Sequence, residues 1–524
     1  MTNFLKPFLC IAALAVVGST KALAQNEEPR CGSAELLQQQ IAANPAVLEL
    51  IKKQEADIAA WMAQNPGKPT RAVVTIPVVV HLVYNPNDNH VFSDHQVKDQ
   101  IDILNEDYRR LNGDTYKTPA DFQSVAADVE IQFCLAKRDP AGNCTNGILR
   151  ETYTDVTEWE MGTFDQYKQT AWPRDQYLNV WVAFMPSSVL GWSTFPTVTD
   201  FTDGVVIADR AFSRIEPASG KYNRGRTLTH EVGHWLNLKH VSGDDSGCSG
   251  TDNCEDTPNQ GDNNTGCPQH PSASCSNAGD MFMNYMDYAH DSCMNLFTIC
   301  QGARMHATLS VARAPLLSSL GCVCPETPLH DIVVSDILYP YGKVMERFIN
   351  PLVRVRNHGS NPITAFKLYY GFYQQSELNV DWAGVLPPGA DTLLSLPLLR
   401  DSVGYNFFMA RAANLNGGVT EVDTVNNFMS RSFYVDSSAI DLENTMTVYP
   451  NPSSGSFTLQ FEILFAEGFE LEVFNVLGQR VPFTASNPLL NRVDVTLLHD
   501  VPGTYFVRAI NDRKKLTQKL FVLL

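Results

Sequence analysis

The residues best suited to chemistry form a run of histidines around one glutamate, at positions 230–240. His230 and His234 are four residues apart, so on a helix their imidazoles lie one turn apart on the same face and can bind one metal ion. Glu231 follows the first histidine and can take a proton from a metal-activated water. The spacing predicts a hydrolytic zinc site. The alternative is a surface helix that carries histidines by chance.

A third histidine, His240, reaches the same ion only if the chain reverses direction shortly after His234. Such a reversal needs a residue in the left-handed conformation, which glycine adopts most easily and asparagine next. Asn237 occupies the required position. We therefore expect Asn237 to end the helix with a positive φ and His240 to be the third zinc ligand.

A second segment with chemical potential lies at residues 283–288, Met-Asn-Tyr-Met-Asp-Tyr. Met286 carries a polarisable thioether, for which ordinary core filling is one interpretation. Tyr288 can offer its phenol to an oxyanion or to the metal, with a packed aromatic side chain as the alternative.

A sheet with helices against it must position these residues. Residues 73–84 form a β-branched run typical of a buried strand, in which Pro77 indicates an edge or entry position. Ser93 and Gln96 predict a capped helix whose apolar stripe extends to Leu111. Further strands are predicted at 128–135, 177–184 and 204–208. This order of elements predicts a twisted mixed sheet in an α+β domain.

Length and composition indicate an exported protein of several domains. At 524 residues the chain exceeds one core, so two to four domains are expected. The formal net charge of −18 argues against nucleic acid as a partner and suits an exported, calcium-binding protein. Residues 1–24 are predicted to be a signal peptide that ends in Ala22-Leu23-Ala24, and we expect no membrane span after it.

Of the twelve cysteines, one lies in the predicted signal peptide, so an odd number remains. Ten lie between Cys134 and Cys324, and in an oxidising compartment they are expected to form disulfides. Cys134 and Cys144 flank a short polar loop and are a tentative pair. Cys31 lies in the predicted pro-segment, residues 25–72, which is helical in tendency. Its thiolate can occupy the fourth position on zinc, with an ordinary free cysteine as the alternative.

These segments together resemble the pappalysin family of metzincin metalloproteases, in particular its ulilysin-like branch. The resemblance covers about residues 73–322, and its most specific segments are 230–240, 256–258, Cys267, 284–288 and 293–298. It departs at Asn237 and Cys300, where the family usually has glycine. It implies a secreted zinc endopeptidase made as a zymogen, with Cys31 similar to the cysteine switch of matrix metalloproteases. It also implies that Met286 lies on a turn beneath the three histidines and forms a polarisable floor there. An astacin-like metzincin with the same chemistry is the alternative family.

The resemblance also implies disulfides that connect the segment after the zinc helix to the loop around Met286. They are Cys248–Cys275 and Cys267–Cys293, whereas the pairing of Cys254, Cys300, Cys322 and Cys324 stays open. A structural calcium site is implied, with a solvated acidic loop as the alternative. Its ligands would be Asp252, Glu255, Asp256 and the carbonyl of Thr257.

Asp291, five residues after Met286, is implied at the base of the pocket for the residue after the scissile bond. A buried carboxylate there would favour Arg or Lys through charged hydrogen bonds. The same preference suggests self-cleavage between Thr70 and Arg71 during maturation.

Two all-β sandwich domains are predicted after a catalytic domain of residues 73–325. Residues 326–438 show short alternating runs between Gly and Pro turns and resemble immunoglobulin-like modules. Residues 439–524 resemble the C-terminal sorting domain of the type IX secretion route of Bacteroidetes, with an unrelated β domain as the alternative.

The expected protein reaches the cell surface or the medium through the periplasm, and its partners are the type IX machinery and protein or peptide substrates. A surface adhesin with a degenerate protease domain is the alternative function.

Overall fold

The structure is a computed structural model, and it describes most of the chain in separate ranges. They are residues 31–66, 73–85, 92–153, 161, 163–185, 189–198, 200–215, 220–245, 247–344, 348–373, 375–421, 423–436, 446–461, 470–485, 492–498, 502–510 and 515–522. The predicted signal peptide and the Thr70–Arg71 bond lie outside the described residues.

Two helices precede the catalytic sheet, as the helical tendency of the pro-segment predicts. They are α1 (Ser33–Ala43) and α2 (Ala46–Gln64). Pro45, at the N-cap of α2, separates them, because a proline disfavours the helical conformation at the residue before it, and Asn44 is extended. Helix α2 lies against a later helix of the catalytic domain and buries Ile58 completely.

The catalytic sheet has six strands in the described part of the chain. They are β1 (Val74–Tyr84), β2 (Ile131–Leu135), β3 (Ile148–Thr152), β4 (Leu178–Ala183), β5 (Gly191–Ser193) and β6 (Val205–Ala208). Their order is β2-β1-β4-β6-β5, with β3 also paired to β1, and β5 is the antiparallel edge strand. The predicted mixed sheet is confirmed.

Strand β1 is an interior strand of the sheet, but Pro77 lies just before its ladder with β4, which agrees with the entry position rather than the edge position. The ladder with β4 begins only at Val78, so a residue without an N–H is tolerated just before it.

Helices cover this sheet and carry most of the site. They are α3 (Asp94–Tyr108), α4 (Ala120–Gln123), α5 (Arg226–Trp235) and α6 (Ile299–Val311). The capping box of Ser93 and Gln96 at the start of α3 is confirmed. The helix ends at Tyr108, however, so Leu111 leaves the apolar stripe and is 42% exposed. A short ladder pairs β7 (Thr265–Gly266) with β8 (Tyr288–Ala289).

The C-terminal part is all β, as predicted. One unit contains β9 (Ile332–Tyr339), β10 (Gly342–Val344), β11 (Phe348–Ile349), β12 (Leu352–Asn357), β13 (Ile363–Phe372), β14 (Leu378–Leu386), β15 (Asp391–Ser395), β16 (Leu399–Arg400), β17 (Gly404–Ala413) and β18 (Phe428–Val435). The next contains β19 (Met446–Tyr449), β20 (Ser456–Phe461), β21 (Glu470–Asn475), β22 (Phe483–Ala485), β23 (Arg492–Leu497), β24 (Gly503–Ile510) and β25 (Lys515–Val522). Each unit has its own apolar core between separate sheets.

The first β unit packs directly on helix α3 of the catalytic domain through β18. Ser430 Oγ donates to Asp99 at 2.6 Å, and the Ser432 backbone N–H donates to Glu106 at 2.9 Å. Both carboxylates also hold the buried guanidinium of Arg214, at 2.9 and 2.8 Å. The interface is therefore a buried ionic network shared by the two domains.

Five disulfides join the ten cysteines after the pro-segment. They are Cys134–Cys322, Cys144–Cys324, Cys248–Cys275, Cys254–Cys300 and Cys267–Cys293. The two pairs implied by the family resemblance are present. The tentative Cys134–Cys144 pair is wrong. The segment around Gly321 runs along the end of β2, where the Gly321 carbonyl accepts from Lys137 N at 2.7 Å. This path brings Cys322 to Cys134 and Cys324 to Cys144.

Within the described part of the chain, each helix is too short or too polar to traverse a lipid bilayer.

Candidate active site and metal centre

Helix α5, called the zinc helix below because it carries His230 and His234, ends in the turn that the histidine spacing requires, and residues 236–240 are called the zinc turn. Asn237 has a φ of 68°, which confirms the predicted left-handed conformation. Its N–H donates to the His234 carbonyl at 2.8 Å, and Leu238 N–H donates to the Gly233 carbonyl at 2.9 Å. These two bonds form a Schellman motif, which ends the helix and turns the chain toward His240.

The turn brings three imidazoles together at one buried point. The Nε2 atoms of His230, His234 and His240 lie 3.0–3.2 Å from one another, and all three side chains are buried. The structure therefore places the three sequence-predicted ligands in one tripod.

The hydrogen bond at the Nδ1 atom of each ring determines which ring nitrogen carries the proton. His230 Nδ1 lies 2.6 Å from the Tyr285 carbonyl, His234 Nδ1 lies 2.7 Å from the Leu238 carbonyl, and His240 Nδ1 contacts the Asp244 carboxylate. Since these oxygens only accept, each Nδ1 carries the proton and the three Nε2 lone pairs converge.

Converging lone pairs repel one another unless a cation lies between them, so the donor set fits a bound zinc ion. Burial, and then the neighbouring His240, lower the pKa of His234 to about 3, which keeps that ring neutral.

Met286 lies against helix α5 at Gly233, the residue before His234. A side chain on Gly233 would collide with the Met286 sulfur, so the glycine in the HEVGH run is what lets this floor approach. The Tyr288 ring centroid is 4.8 Å from that of His240 and 6.0 Å from that of His230. Met286 thus contacts the helix that carries two of the histidines, and Tyr288 lies near two of their rings.

The pro-segment reaches the same point through strand β5. Cys31 forms a parallel bridge with Gly191, and Gly32 N–H donates to the Gly191 carbonyl at 2.9 Å. Cys31 Sγ and the three histidine nitrogens all lie within 4.8 Å of one another. The thiol therefore approaches the fourth side of the tripod.

The pro-segment also contacts Glu231. Glu231 Oε2 accepts from Ser33 Oγ at 2.7 Å and from Cys31 Sγ at 3.5 Å. Ser193 of β5 donates its N–H to Ser33 Oγ at 2.8 Å. Burial, and then the Glu231 charge, raise the pKa of the Cys31 thiol well above its usual value. Without a cation the sulfur therefore keeps its proton.

Asp291 is fully buried at the start of the zinc helix. Its Oδ2 accepts from the backbone N–H groups of Arg224 at 2.9 Å and Arg226 at 3.3 Å. The carboxylate thus caps α5 and fixes the segment that leads to His230.

The predicted calcium ligands Asp252 and Asp256 have different hydrogen-bond partners. Asp252 is buried and accepts from Thr257 Oγ1 at 2.9 Å, whereas Asp256 accepts from Thr298 Oγ1 at 2.7 Å and caps α6. Glu255 is exposed. Among the described residues, Asp252, Glu255 and Asp256 do not form a cluster of metal-ligating atoms.

Three residues that contact the site were not among the predicted site residues. Asp244 follows His240 by four residues, and a carboxylate at that distance from a ligand was a usable signal. Ser33, two residues after Cys31, was less evident, because its contact with Glu231 spans 198 residues of sequence. Glu55 of α2, which contacts the zinc turn through Asn237, gave no local signal.

Comparisons with known proteins agree with this geometry. The family model described as pregnancy-associated plasma protein-A matches residues 162–310. A second model, described as a secretion system C-terminal sorting domain, matches residues 447–523.

Individual relatives point the same way. An extracellular metalloprotease of Pyricularia oryzae is 30% identical over 325 residues, which are 60% of this chain and 98% of that protein. One of Arthroderma benhamiae is 30% identical over 46% of this chain and 80% of its own length. The solved structure of a promirolysin mutant of Tannerella forsythia is 42% identical, with a TM-score of 0.51, over 55% of this chain and 97% of its own.

Proposed function

Because the chain belongs to the pappalysin family of metalloendopeptidases, we propose that it is made as a latent zymogen whose pro-segment closes the zinc site. The chain is an extracellular enzyme, secreted or attached to the cell surface, and its family uses a catalytic zinc ion. The observation that carries the proposal is the convergence of Cys31 Sγ on the three histidine nitrogens. A solved relative named a promirolysin agrees with a precursor form.

In the proposed mechanism His230, His234 and His240 hold the zinc ion, with Met286 as their floor. A zinc ion held by these residues would supply Lewis acidity toward the scissile carbonyl and the attacking water. Glu231 takes a proton from the attacking water on Oε2 and returns it to the leaving amine. The Tyr288 phenol donates to the oxyanion of the tetrahedral intermediate.

Latency then has two parts at the same centre. The Cys31 sulfur takes the place of the attacking water. Ser33 Oγ donates a hydrogen bond to Glu231 Oε2, the oxygen that would act as the base. The Gly191–Ser193 strand, an open edge of the sheet, is held by the pro-segment and is thereby closed to a substrate peptide.

Replacement of Cys31 tests the latency. The Cys31→Ala precursor should cleave itself without the lag of the wild type, because water regains its place, and gel analysis of precursor over time measures this. The double variant Cys31→Ala/Glu231→Ala is the control and should stay uncleaved. A Cys31→Ala precursor with an unchanged lag would reject the cysteine switch.

For specificity, we propose that Asp291 favours Arg or Lys after the scissile bond. Asp291→Asn removes the charge but keeps an oxygen that can cap α5, so the variant should fold. Its kcat/KM for Arg over Leu at this position should fall at least about thirtyfold. An unchanged ratio in a peptide library, with the same melting temperature, would contradict this role.

For export, we propose that residues 439–524 address the chain to the type IX machinery, with unit limits near 325 and 438. Deletion of 439–524 should leave the protein in the periplasm, and fractionation measures this.

A calcium ion near Asp252 is a further proposal. Burial raises the pKa of Asp252 to about 6, so a cation there would stabilise its charge. Calcium should then raise the melting temperature of the wild type more than that of Asp252→Asn.

A further inference from the structure

The carboxylate of Glu55 lies beside Asn237 in the zinc turn, on a part of the pro-segment separate from Cys31. Glu55 of α2 accepts from Arg304 of α6 through both carboxylate oxygens, each at 2.9 Å. Asn237 Nδ2 donates to Glu55 Oε1 at 2.8 Å, and Asn253 Nδ2 donates to Oε2 at 3.0 Å. Three side chains from three separate segments thus converge on one carboxylate.

The pair between Arg304 and Glu55 differs from a surface ion pair because the guanidinium is buried. The Arg304 side chain is only 3% exposed, and among the described residues its guanidinium hydrogen-bonds to Glu55 and to no other side chain. Asp252 lies near enough to interact with the Arg304 charge, but it forms no hydrogen bond with it. A buried guanidinium without an anion is costly, so this site requires a carboxylate.

The side chain of Asn237 contributes a hydrogen bond to Glu55, in addition to the turn that its backbone forms. A glycine at this position would adopt the same φ of 68° and would form the same helix end. It would lack the amide that donates to Glu55. The asparagine therefore joins the turn that positions His240 to the pro-segment.

We propose that Arg304, Asn237 and Asn253 form a carboxylate-binding site for helix α2, which retains the pro-segment after its peptide bond to the catalytic domain is cut. The inference rests on the proposed zymogen. Cleavage between residues 70 and 71 breaks neither the Glu55 contacts nor the Cys31 contact, so the cleaved pro-segment stays bound. Activation then requires dissociation or further digestion of the pro-segment.

The test uses full-length precursors in which Cys31 is intact. Wild type, Glu55→Gln and Glu49→Gln are allowed to mature, and intact mass spectrometry after gel filtration follows the release of the pro-segment. Glu49 is the matched control, because it is exposed and pairs with Lys52 of its own helix at 2.8 Å. We expect release about tenfold faster for Glu55→Gln and unchanged for Glu49→Gln.

A second variant separates this site from general destabilisation of α2. Asn237→Gly removes one donor and leaves α2 untouched, and its pro-segment should leave about threefold faster. Equal release rates for Glu55→Gln and Glu49→Gln would overturn the carboxylate site. That result would leave the zymogen intact, because the lag lost in Cys31→Ala tests it separately. A pro-segment lost at once on cleavage of the wild type would overturn the retention of α2, and this result too would leave the zymogen to its own test.

Discussion

Two parts of the chain cover the catalytic domain, and they bind it in different ways. The pro-segment buries Ile58 of α2 and places Glu55, 24% exposed, on Arg304. The first β unit instead buries Arg214 against Asp99, both at most 1% exposed, and adds serine donors from β18.

Withdrawal of the β unit would expose this ionic network and remove its serine donors, whereas withdrawal of α2 frees a single ion pair. The proposed maturation therefore removes the cover that costs less to withdraw, and the β unit stays as part of the folded protease.

The largest expected effect is on Arg214. In Arg214→Met the carboxylates of Asp99 and Glu106 lose their buried cation, so the free energy of unfolding should fall by about 3–5 kcal/mol. Chemical denaturation of precursor and matured enzyme measures this, and both forms should lose the same amount. Arg304→Met is the contrast, and it should destabilise the precursor only. Equal losses for both variants in both forms would remove the distinction between the two covers.

A pH-dependent effect is expected from Asp107, the carboxylate of α3 that faces the zinc helix. Burial raises its pKa to about 6 from 3.8, so the folded state binds the extra proton and stability falls as pH rises from about 4 to 6. In Asp107→Asn this loss, up to about 3 kcal/mol, should be absent. The difference in unfolding free energy between variant and wild type, measured from pH 4 to 7, should grow with pH. A constant difference would contradict this.

The smallest effect distinguishes two serines with similar contacts. Ser430→Ala leaves Asp99 with one donor fewer and should cost about 1–2 kcal/mol in the matured enzyme. Ser33→Ala should leave the stability of the matured enzyme unchanged and shorten the maturation lag, because Ser33 contacts Glu231 only in the precursor. Urea denaturation and a cleavage time course measure the two outcomes. A stability loss from Ser33→Ala after maturation would contradict the removable cover.

The parts of the site that depend on local spacing could be predicted from the sequence. The histidine tripod, the left-handed Asn237 and the capping box at Ser93 each involve residues that are at most about three helical turns apart in the sequence. Met286 and Tyr288 came from a recognisable segment rather than from spacing. The alternating strands also predicted the β units, because their period of two is visible in the residues.

Long-range contacts could not be predicted in this way. The partner of Cys134 is 188 residues away, and it depends on the path of the segment around Gly321. Glu55 resembles other exposed helix glutamates until α6 brings Arg304 to it. The end of α3 at Tyr108, which exposes Leu111, likewise reflects tertiary packing rather than helical period.

The central claim is that three histidines and the Cys31 sulfur share one zinc ion in the precursor. Zinc X-ray absorption spectroscopy on the precursor and on the matured enzyme tests it directly. The account predicts three imidazole nitrogens and one sulfur in the precursor, and the same nitrogens with the sulfur replaced by oxygen after maturation. A precursor without sulfur on zinc, or with fewer than three imidazoles, would contradict it.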